Sequence, residues 1–357
     1  MEIKMELSKL QKEIVNATEP HIIVLAAAAA GKTATLTERV RKMLHDGVEP
    51  SDIGVITFTN LAASELRARL GDDYKDGIYI GTIHGLANKF LRSRGINTEK
   101  LINQEDFDGF FELLKQYPSC VKHIRHILLD EAQDTSEAEY NFIFNMINPV
   151  TFFVVGDLRQ SIYSFKGAHP ELFEKLCNDP DTKVYDLNEN YRNGSNILNF
   201  AKKILLDCGM SDNSISINSG GIVSETDANI TNLKGWIQRK GDYGDWAVLC
   251  RTNDEIAMIQ EALDEAGIPN VTFKQGRVNR EELGDLMRAN SVKVLTRHSA
   301  KGLEFENVAV WAPVWWGGKE MYRVNYVAAT RAKKILLWME EQKSKKSKTK
   351  KQKSKWF

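Results

Sequence analysis

The apolar positions of this chain fall into short β-branched runs separated by stretches with helical spacing. "HIIVLAA" (His21 to Ala27) is one such run, and "TATLTERVRKMLHDG" after it repeats Leu36, Val40 and Leu44 at helical intervals, so strand, loop and helix are predicted in that order. The alternation recurs at "IGVITFT" then "NLAASELRARLG", at "HIRHILLDEAQD" then "SEAEYNFIFNMI", and at "TFFVVGD" then a loop and "HPELFEKLC". Strands interleaved with helices predict an α/β fold with a mainly parallel sheet covered on both faces. After Asp186 a second series begins with "GDWAVLCRT" and "NDEIAMIQEALDEAG", continues through "SVKVLTRH" and "ENVAVWAPV", and ends in "YRVNYVAATRAKKILLW". Two such series predict two α/β domains, at 1–186 and 187–340, with a cleft between them. Residues 209–232 are polar and rich in Ser, Asn and Gly, and are expected to be a loop or a reduced insertion.

Composition supports this division. At 357 residues and 42% apolar, the chain can supply two domains of ordinary size, each burying its own core. No run approaches the ~18 apolar residues of a membrane span, and Met1, Glu2, Lys4 and Glu6 open the chain without the apolar stretch of a signal peptide. A cytoplasmic protein with no membrane partner is expected. Cys120, Cys177, Cys208 and Cys250 are scattered, with no metal or redox spacing, and are read as small apolar residues.

The formal net charge of zero hides an asymmetry. The last segment, 341–357, reads "EQKSKKSKTKKQKSKWF" and holds eight lysines against one glutamate, which leaves the rest of the chain at −7. Its low complexity predicts a disordered Lys-rich tail. Such a tail is either a solubilising extension or an arm that grips phosphates without reading sequence, and Trp356 and Phe357 offer an anchor for a protein partner.

Candidate chemistry lies where the predicted strands end. In "LAAAAAGKTATL" a Gly-Lys-Thr sits between an apolar strand and an amphipathic helix, the setting of a phosphate-binding loop. There the backbone N–H groups of Ala28, Ala29, Ala30, Gly31, Lys32, Thr33 and Ala34 would wrap the phosphates of ATP. Lys32 would reach the outer phosphates, and Thr33 would hold Mg²⁺. "ILLDEAQD" delivers Asp130 and Glu131 to a strand end, where Asp130 suits a metal and Glu131 suits a water-activating base. Read alone, such a pair is more often two solvated loop carboxylates; its place at a strand end, about 100 residues after the Gly-Lys-Thr, favours the functional reading.

Further segments make the chain resemble the UvrD/Rep/PcrA group of superfamily-one DNA helicases, in family order and up to about Met339. "LSKLQKEIV" is similar to the adenine-reading segment, with Gln11 as the base-contacting glutamine. "VITFTNLAASELRARL" resembles a single-strand contact built from Thr57, Phe58, Thr59 and Asn60, and "GTIHGLA" adds Thr82 and His84. "VVGDLRQSIYSFKGA" resembles the motif joining ATP to DNA, which implies Gln160 as sensor of the γ-phosphate, with Tyr163 and Phe165 facing bases. "LNENYRNGSNIL" implies Tyr191 stacking on adenine and Arg192 reaching the γ-phosphate. "VLTRHSAKGLEFENV" implies His298, Ser299 and Lys301 near DNA and Glu304 near the ribose. "VNYVAATRA" ends the set with Arg331 as arginine finger.

The resemblance implies two RecA-like P-loop NTPase motor domains with an ATP cleft between them, acting as a 3′-to-5′ single-stranded DNA translocase or helicase. ATP and Mg²⁺ are the implied cofactors. Single-stranded DNA or its junctions with duplex are the implied partner, with a monomer expected and association with the nucleoid when on DNA. Two other readings remain open: a motor subunit that strips proteins with little unwinding, and a nucleotide-binding regulator that no longer hydrolyses ATP. For Phe58 core packing is the competing reading, whereas Tyr163 lies in a polar, turn-rich segment that argues against it.

Departures from the family pattern are also visible. Ala34, Arg159 and Phe165 stand where relatives often have Arg, an acidic residue and Trp. The large helical insertions are reduced to about 86–124 in the first domain and about 209–240 in the second, so movement on a single strand is expected before processive unwinding. Ala29 replaces a usual glycine, which costs strain if that position needs a positive φ.

Overall fold

The computed structural model of the chain describes residues 6–240, 242–274, 278–315 and 317–341. The Lys-rich tail expected from 341 therefore lies, past Glu341, outside the described residues.

The chain forms two compact units. The first runs to Tyr191 and also takes in Met210–Ile217; the second holds Arg192–Gly209 and most of the chain from Asn218 onward. Each is built on a six-stranded parallel sheet, as the alternating pattern predicts.

In the first unit the strands are β1 (His21–Ala26), β2 (Ile53–Ile56), β3 (Tyr79–Gly81), β4 (His126–Leu129), β5 (Thr151–Gly156) and β6 (Lys183–Leu187), in the order β3-β2-β4-β5-β1-β6. Alternate side chains serve two cores. Ile22, Val24, Val55, Leu128 and Val155 pack with Leu36 and Val40 of helix Lys32–His45 and with Leu66 of helix Asn60–Leu70. Ile23, Ile127, Leu129 and Val154 face the other way, onto Phe90, Phe111, Phe142 and Phe173. Each such aliphatic side chain contributes roughly 1.5–3 kcal/mol on burial. Residues 86–124 contribute helices Glu99–Asn103 and Gly109–Gln116 to this second face, after helix Ile83–Arg92.

The parallel register gathers chemistry at one edge. Leu25 pairs with Gly156, Ala26 with Leu187, and Ile56 with Leu129, so the carboxyl ends of β1, β4 and β5 emerge side by side. Helix Lys32–His45 leaves β1 on one face and helix Pro170–Cys177 follows β5 on the other, which opens the crevice between those strand ends where α/β sheets bind ligands.

Two short strands, β7 (Glu189–Gly194) and β8 (Ile215–Asn218), pair with each other, and the chain enters the second unit within β7. The second sheet comprises β9 (Ile222–Asp227), β10 (Trp246–Cys250), β11 (Asn270–Val271), β12 (Val292–Thr296), β13 (Phe305–Trp311) and β14 (Ala332–Glu340), in the order β11-β12-β10-β13-β14-β9. Helices Ile230–Lys240 and Asn253–Glu265 cover one face through Leu233, Ile237, Ile259 and Leu263. On the other face Phe200, from helix Ser195–Leu206, meets Trp338 edge-on.

The stretch about 209–240, expected to be a loop or a reduced insertion, is largely ordered secondary structure. It carries β8, β9 and helix Ile230–Lys240, and β9 pairs in parallel with β14 from Ile222↔Ile335 to Asp227↔Glu340. β9 is an edge strand, where polar and charged residues guard against stray pairing, so it lacks the apolar signature of the inner strands. Among the described residues no helix is long and apolar enough to cross a membrane.

Candidate nucleotide and nucleic-acid site

The loop after β1 is shaped by what holds its carbonyls. Ala28 O accepts from Asn190 Nδ2 at 3.0 Å, Ala29 O from Tyr191 N at 3.1 Å, and Ala30 O from Gln11 Nε2 at 3.1 Å. With three consecutive carbonyls tied outward, the N–H groups of Ala28, Ala29, Gly31 and Lys32 are left without hydrogen-bond partners among the described residues. Free N–H groups in series at a helix start make an anion cradle.

Ala29 has φ +59°, so the position does require the left-handed backbone that glycine adopts without penalty. Gly31, at φ +78°, has a second reason to lack a side chain: a Cβ there would collide with the Gln11 amide. Gln11 also completes a capping box, its Oε1 accepting from Ser8 N at 2.9 Å and its N–H donating to Ser8 Oγ at 3.2 Å. Gln11, named from the sequence for adenine contact, thus has a structural task in bracing the loop.

Lys32 opens the following helix, and its ammonium is shielded from solvent. Nζ lies 3.1 Å from Glu131 Oε1 but forms no well-aligned hydrogen bond. Burial alone would lower the lysine pKa; Glu131, Asp130 and Asp157 outweigh it and hold the charge on. A buried, charged ammonium with unused donors beside open N–H groups fits an anionic ligand such as a triphosphate.

A polar chain runs outward from this ion pair. Glu131 occupies the left-handed region at φ +53°, and its Oε2 accepts from Gln133 Nε2 at 2.5 Å. Gln133 Oε1 in turn accepts from Asp157 N at 2.9 Å, and Asp157 Oδ2 accepts from Gln160 Nε2 at 2.7 Å. Gly156 makes the approach possible, since a Cβ there would lie 2.9 Å from Gln133 Oε1. Lys32, Glu131 and Gln160, read separately from the sequence, are therefore linked through two buried groups that the sequence reading missed, Gln133 and Asp157. Asp157 carried a signal, since it follows β5 just as Asp130 follows β4. Asn190 carried none, being a buried amide in a polar segment. Thr33 follows β1 and Asp130 follows β4 at the same edge of the sheet, and each offers the kind of oxygen donor that Mg²⁺ takes while completing its shell from phosphate and water.

Phe58 and Tyr163 reverse their expected places. Phe58 is 37% exposed and stacks on Tyr163 with ring centroids 5.1 Å apart, while Tyr163 is only 9% exposed. Tyr163 is covered because it lies beneath Phe58, and burial pushes its phenol well above the ordinary range. Phe165 is 66% exposed and meets Tyr163 edge-on at 6.0 Å; Lys166 Nζ sits 4.7 Å from the Tyr163 ring centroid. The exposed rings of Phe58 and Phe165, both packed on Tyr163, form with the Lys166 cation a step suited to base stacking.

The remaining first-unit candidates are engaged locally. Thr59 and Thr82 cap helices through Ala62 N and Gly85 N, Thr57 Oγ1 donates to Thr59 O, and Asn60 is exposed. His84 packs on Phe107 and Phe111, with Glu139 Oε1 3.6 Å from Nδ1. Tyr191 keeps a part-exposed ring and donates its hydroxyl to Glu189 at 2.6 Å.

In the second unit Arg192 and Glu304 meet. Arg192 Nε lies 2.8 Å from Glu304 Oε2, and Lys333 Nζ lies 2.7 Å from Oε1. Burial alone would raise the carboxyl pKa; Arg192 and Lys333 hold it down at about 2. Arg331 is 2% exposed, with Nε donating to Val327 O and one terminal nitrogen to Leu303 O. His298 and Ser299 are half-buried in the turn after β12, where Thr296 Oγ1 donates to Ser299 Oγ at 2.8 Å, and Lys301 is buried. Arg297, also missed, is buried there and donates to Trp311 O, Ala312 O and Asn325 Oδ1, tying that turn to the helix Lys319–Ala329.

A strand, anion cradle and helix, with a buried lysine facing a strand-end Asp-Glu pair, define the class of P-loop nucleotide-binding proteins. Within that class, the family model described as the UvrD/REP helicase N-terminal domain matches residues 7–116 and 110–181. Two models described as the UvrD-like helicase C-terminal domain match 185–289 and 291–338. The chain belongs to the UvrD-like helicase family. It is 26% identical to DNA helicase II of Escherichia coli over 384 aligned positions, which cover 79% of this chain and 53% of that protein. It is also 26% identical to a probable DNA helicase of Mycoplasma pneumoniae, over 92% of this chain and 82% of that protein. To ATP-dependent DNA helicase PcrA of Leuconostoc citreum the identity is 26%, over 79% of this chain and 52% of the relative. The chain thus spans about half the length of several curated relatives it matches.

Proposed function

We propose that the protein is an ATP-dependent single-stranded DNA translocase and helicase moving 3′ to 5′. The observation that carries the nucleotide half is the buried Lys32 ammonium, charged, short of hydrogen bonds and set against the open N–H groups of the alanine loop. ATP would be held by that loop and by Lys32, with Mg²⁺ on Thr33 and Asp130. When bound, Mg²⁺ neutralises phosphate charge during transfer to water. Glu131, already directed by Lys32 and Gln133, takes the proton of the attacking water. Gln160 exchanges its bond to Asp157 for one to the γ-phosphate, and Arg192 and Arg331 stabilise the charge that develops there. Family membership and the exposed rings of Phe58 and Phe165, packed on Tyr163, support DNA as the track.

The test is ATP hydrolysis with and without single-stranded DNA, on wild type and Glu131→Gln. Strong stimulation lost in the variant is expected; absence of stimulation sinks the motor. Strand displacement from 3′ and 5′ overhangs then separates unwinding from movement alone, and a preference for the 5′ overhang overturns the polarity. Deleting residues 343–357 tests the tail, which is expected to add DNA affinity at low salt.

A further inference from the structure

Arg159 stands on the short turn Leu158–Gln160, directly before the glutamine assigned to the γ-phosphate. Its guanidinium is largely buried between two carboxylates that are buried more deeply. Nε lies 2.6 Å from Asp157 Oδ1, and one terminal nitrogen lies 2.6 Å from Asp212 Oδ1. Asp157 Oδ1 also accepts from Arg159 N at 3.0 Å, which leaves Oδ2 for the Gln160 amide at 2.7 Å. Asp212 arrives from Met210–Ile217, a segment of the first unit whose flanking elements, helix Ser195–Leu206 and β9, belong to the second. There Asp212 Oδ1 accepts from Ser214 N at 2.9 Å.

Buried ions persist only when their partners are fixed, and removing one partner strands the others. The arrangement therefore does more than stabilise a turn. A carboxylate pinned at one oxygen presents the other in a single direction, so the Gln160 amide has one defined resting position. A γ-phosphate oxygen that recruits this amide must compete with that bond.

We infer that Arg159 is a positioning residue for Gln160 and that Asp212 is its anchor. Together they set how strongly the site distinguishes a triphosphate from a diphosphate, and they tie that distinction to a segment continuous on both sides with the second unit. The inference rests on the nucleotide reading of the Lys32 loop, and it goes beyond that reading by adding two residues outside the phosphate-binding motifs.

The experiment uses the full chain with Mg²⁺ and measures affinities for ADP and for a non-hydrolysable ATP analogue. Wild type, Asp212→Asn, Arg159→Gln and the double variant are compared. In Asp212→Asn, ADP affinity is expected to stay within about twofold of wild type while preference for the triphosphate analogue changes at least about fivefold. The double variant is expected to be no worse than the more affected single one, as for groups acting through one another. An unchanged preference overturns the inference, and so does a parallel loss of both affinities, which is what a merely structural pair would give. Should Asp212→Asn fail to fold, Arg159→Lys keeps the charge with fewer contacts and is expected to shift the preference part-way; wild-type preference there overturns the inference. Wild-type protein that binds neither nucleotide would instead sink the proposed function, and this inference with it.

Discussion

The two sheets are built to one plan, yet the buried cations at their candidate sites are held in different ways. In the first unit a single shielded ammonium, Lys32, is surrounded by Glu131, Asp130 and Asp157, an acidic setting that keeps it charged. In the second, Arg297 and Arg331 are buried mainly against neutral carbonyls, and Arg192 is shared between Glu304 and the Thr330 carbonyl. The contrast follows from side-chain chemistry. A lysine loses its proton readily when buried and needs acids to prevent that, whereas a guanidinium stays charged and can be fixed by the many carbonyls its fork reaches. The lysine beside the alanine loop is thus kept charged by acids, while Arg297 and Arg331 are fixed largely by carbonyls.

The contrast can be broken by substitution. Arg331→Lys should lower ATP turnover by about 10³, the usual effect of losing an arginine finger, with the melting temperature recorded to separate packing from chemistry. A loss seen only in stability would make Arg331 a carbonyl tie and nothing more. Glu131→Gln should lower kcat by about 10² while ATP still binds, because the general base goes but the cradle stays. If binding fell as well, Glu131 would matter chiefly as the partner that keeps Lys32 in place. Phe58→Ala should weaken single-stranded DNA binding by about tenfold, the loss of one stacked base, with ATP affinity unaffected in the absence of DNA. Ala29→Gly should stabilise the fold by about 1 kcal/mol and lower KM for ATP, since φ +59° is costly for alanine. Equal melting temperatures would mean that the three carbonyl bonds hold Ala29 without residual strain.

The smallest effect concerns acid. The Glu304 carboxyl is held at about 2, below its ordinary 4.5, so its stabilising contribution is complete above 4.5 and disappears as pH falls from there toward 2. Glu304 is half-exposed, so solvent screens much of this contribution. Denaturation curves across that window should flatten modestly in Glu304→Gln.

Much of this could be read from the chain because inner parallel strands are covered on both faces and announce themselves as apolar runs. β1, β4 and β5 are of that kind, and so Lys32, Asp130 and Glu131 could be placed at strand ends before any coordinates. β9 is polar because it lies at an edge, so its pattern predicts a loop or a reduced insertion rather than a strand. The burial of Tyr163 leaves no local mark in the sequence, because the ring stacked on it lies 105 positions away. Gln133, Asn190 and Asp212 act through hydrogen bonds and ion pairs between segments distant in sequence, which neither periodicity nor composition records.

The ties on the alanine loop have a mechanical consequence. Ala28 and Ala29 are gripped by Asn190 and Tyr191, the last two residues before the chain crosses into the second unit. A tug at that crossing must either drag the phosphate loop with it or snap two hydrogen bonds. Alanine has fewer accessible backbone states than glycine, so a pull on Asn190 or Tyr191 is passed along the loop backbone rather than absorbed by it.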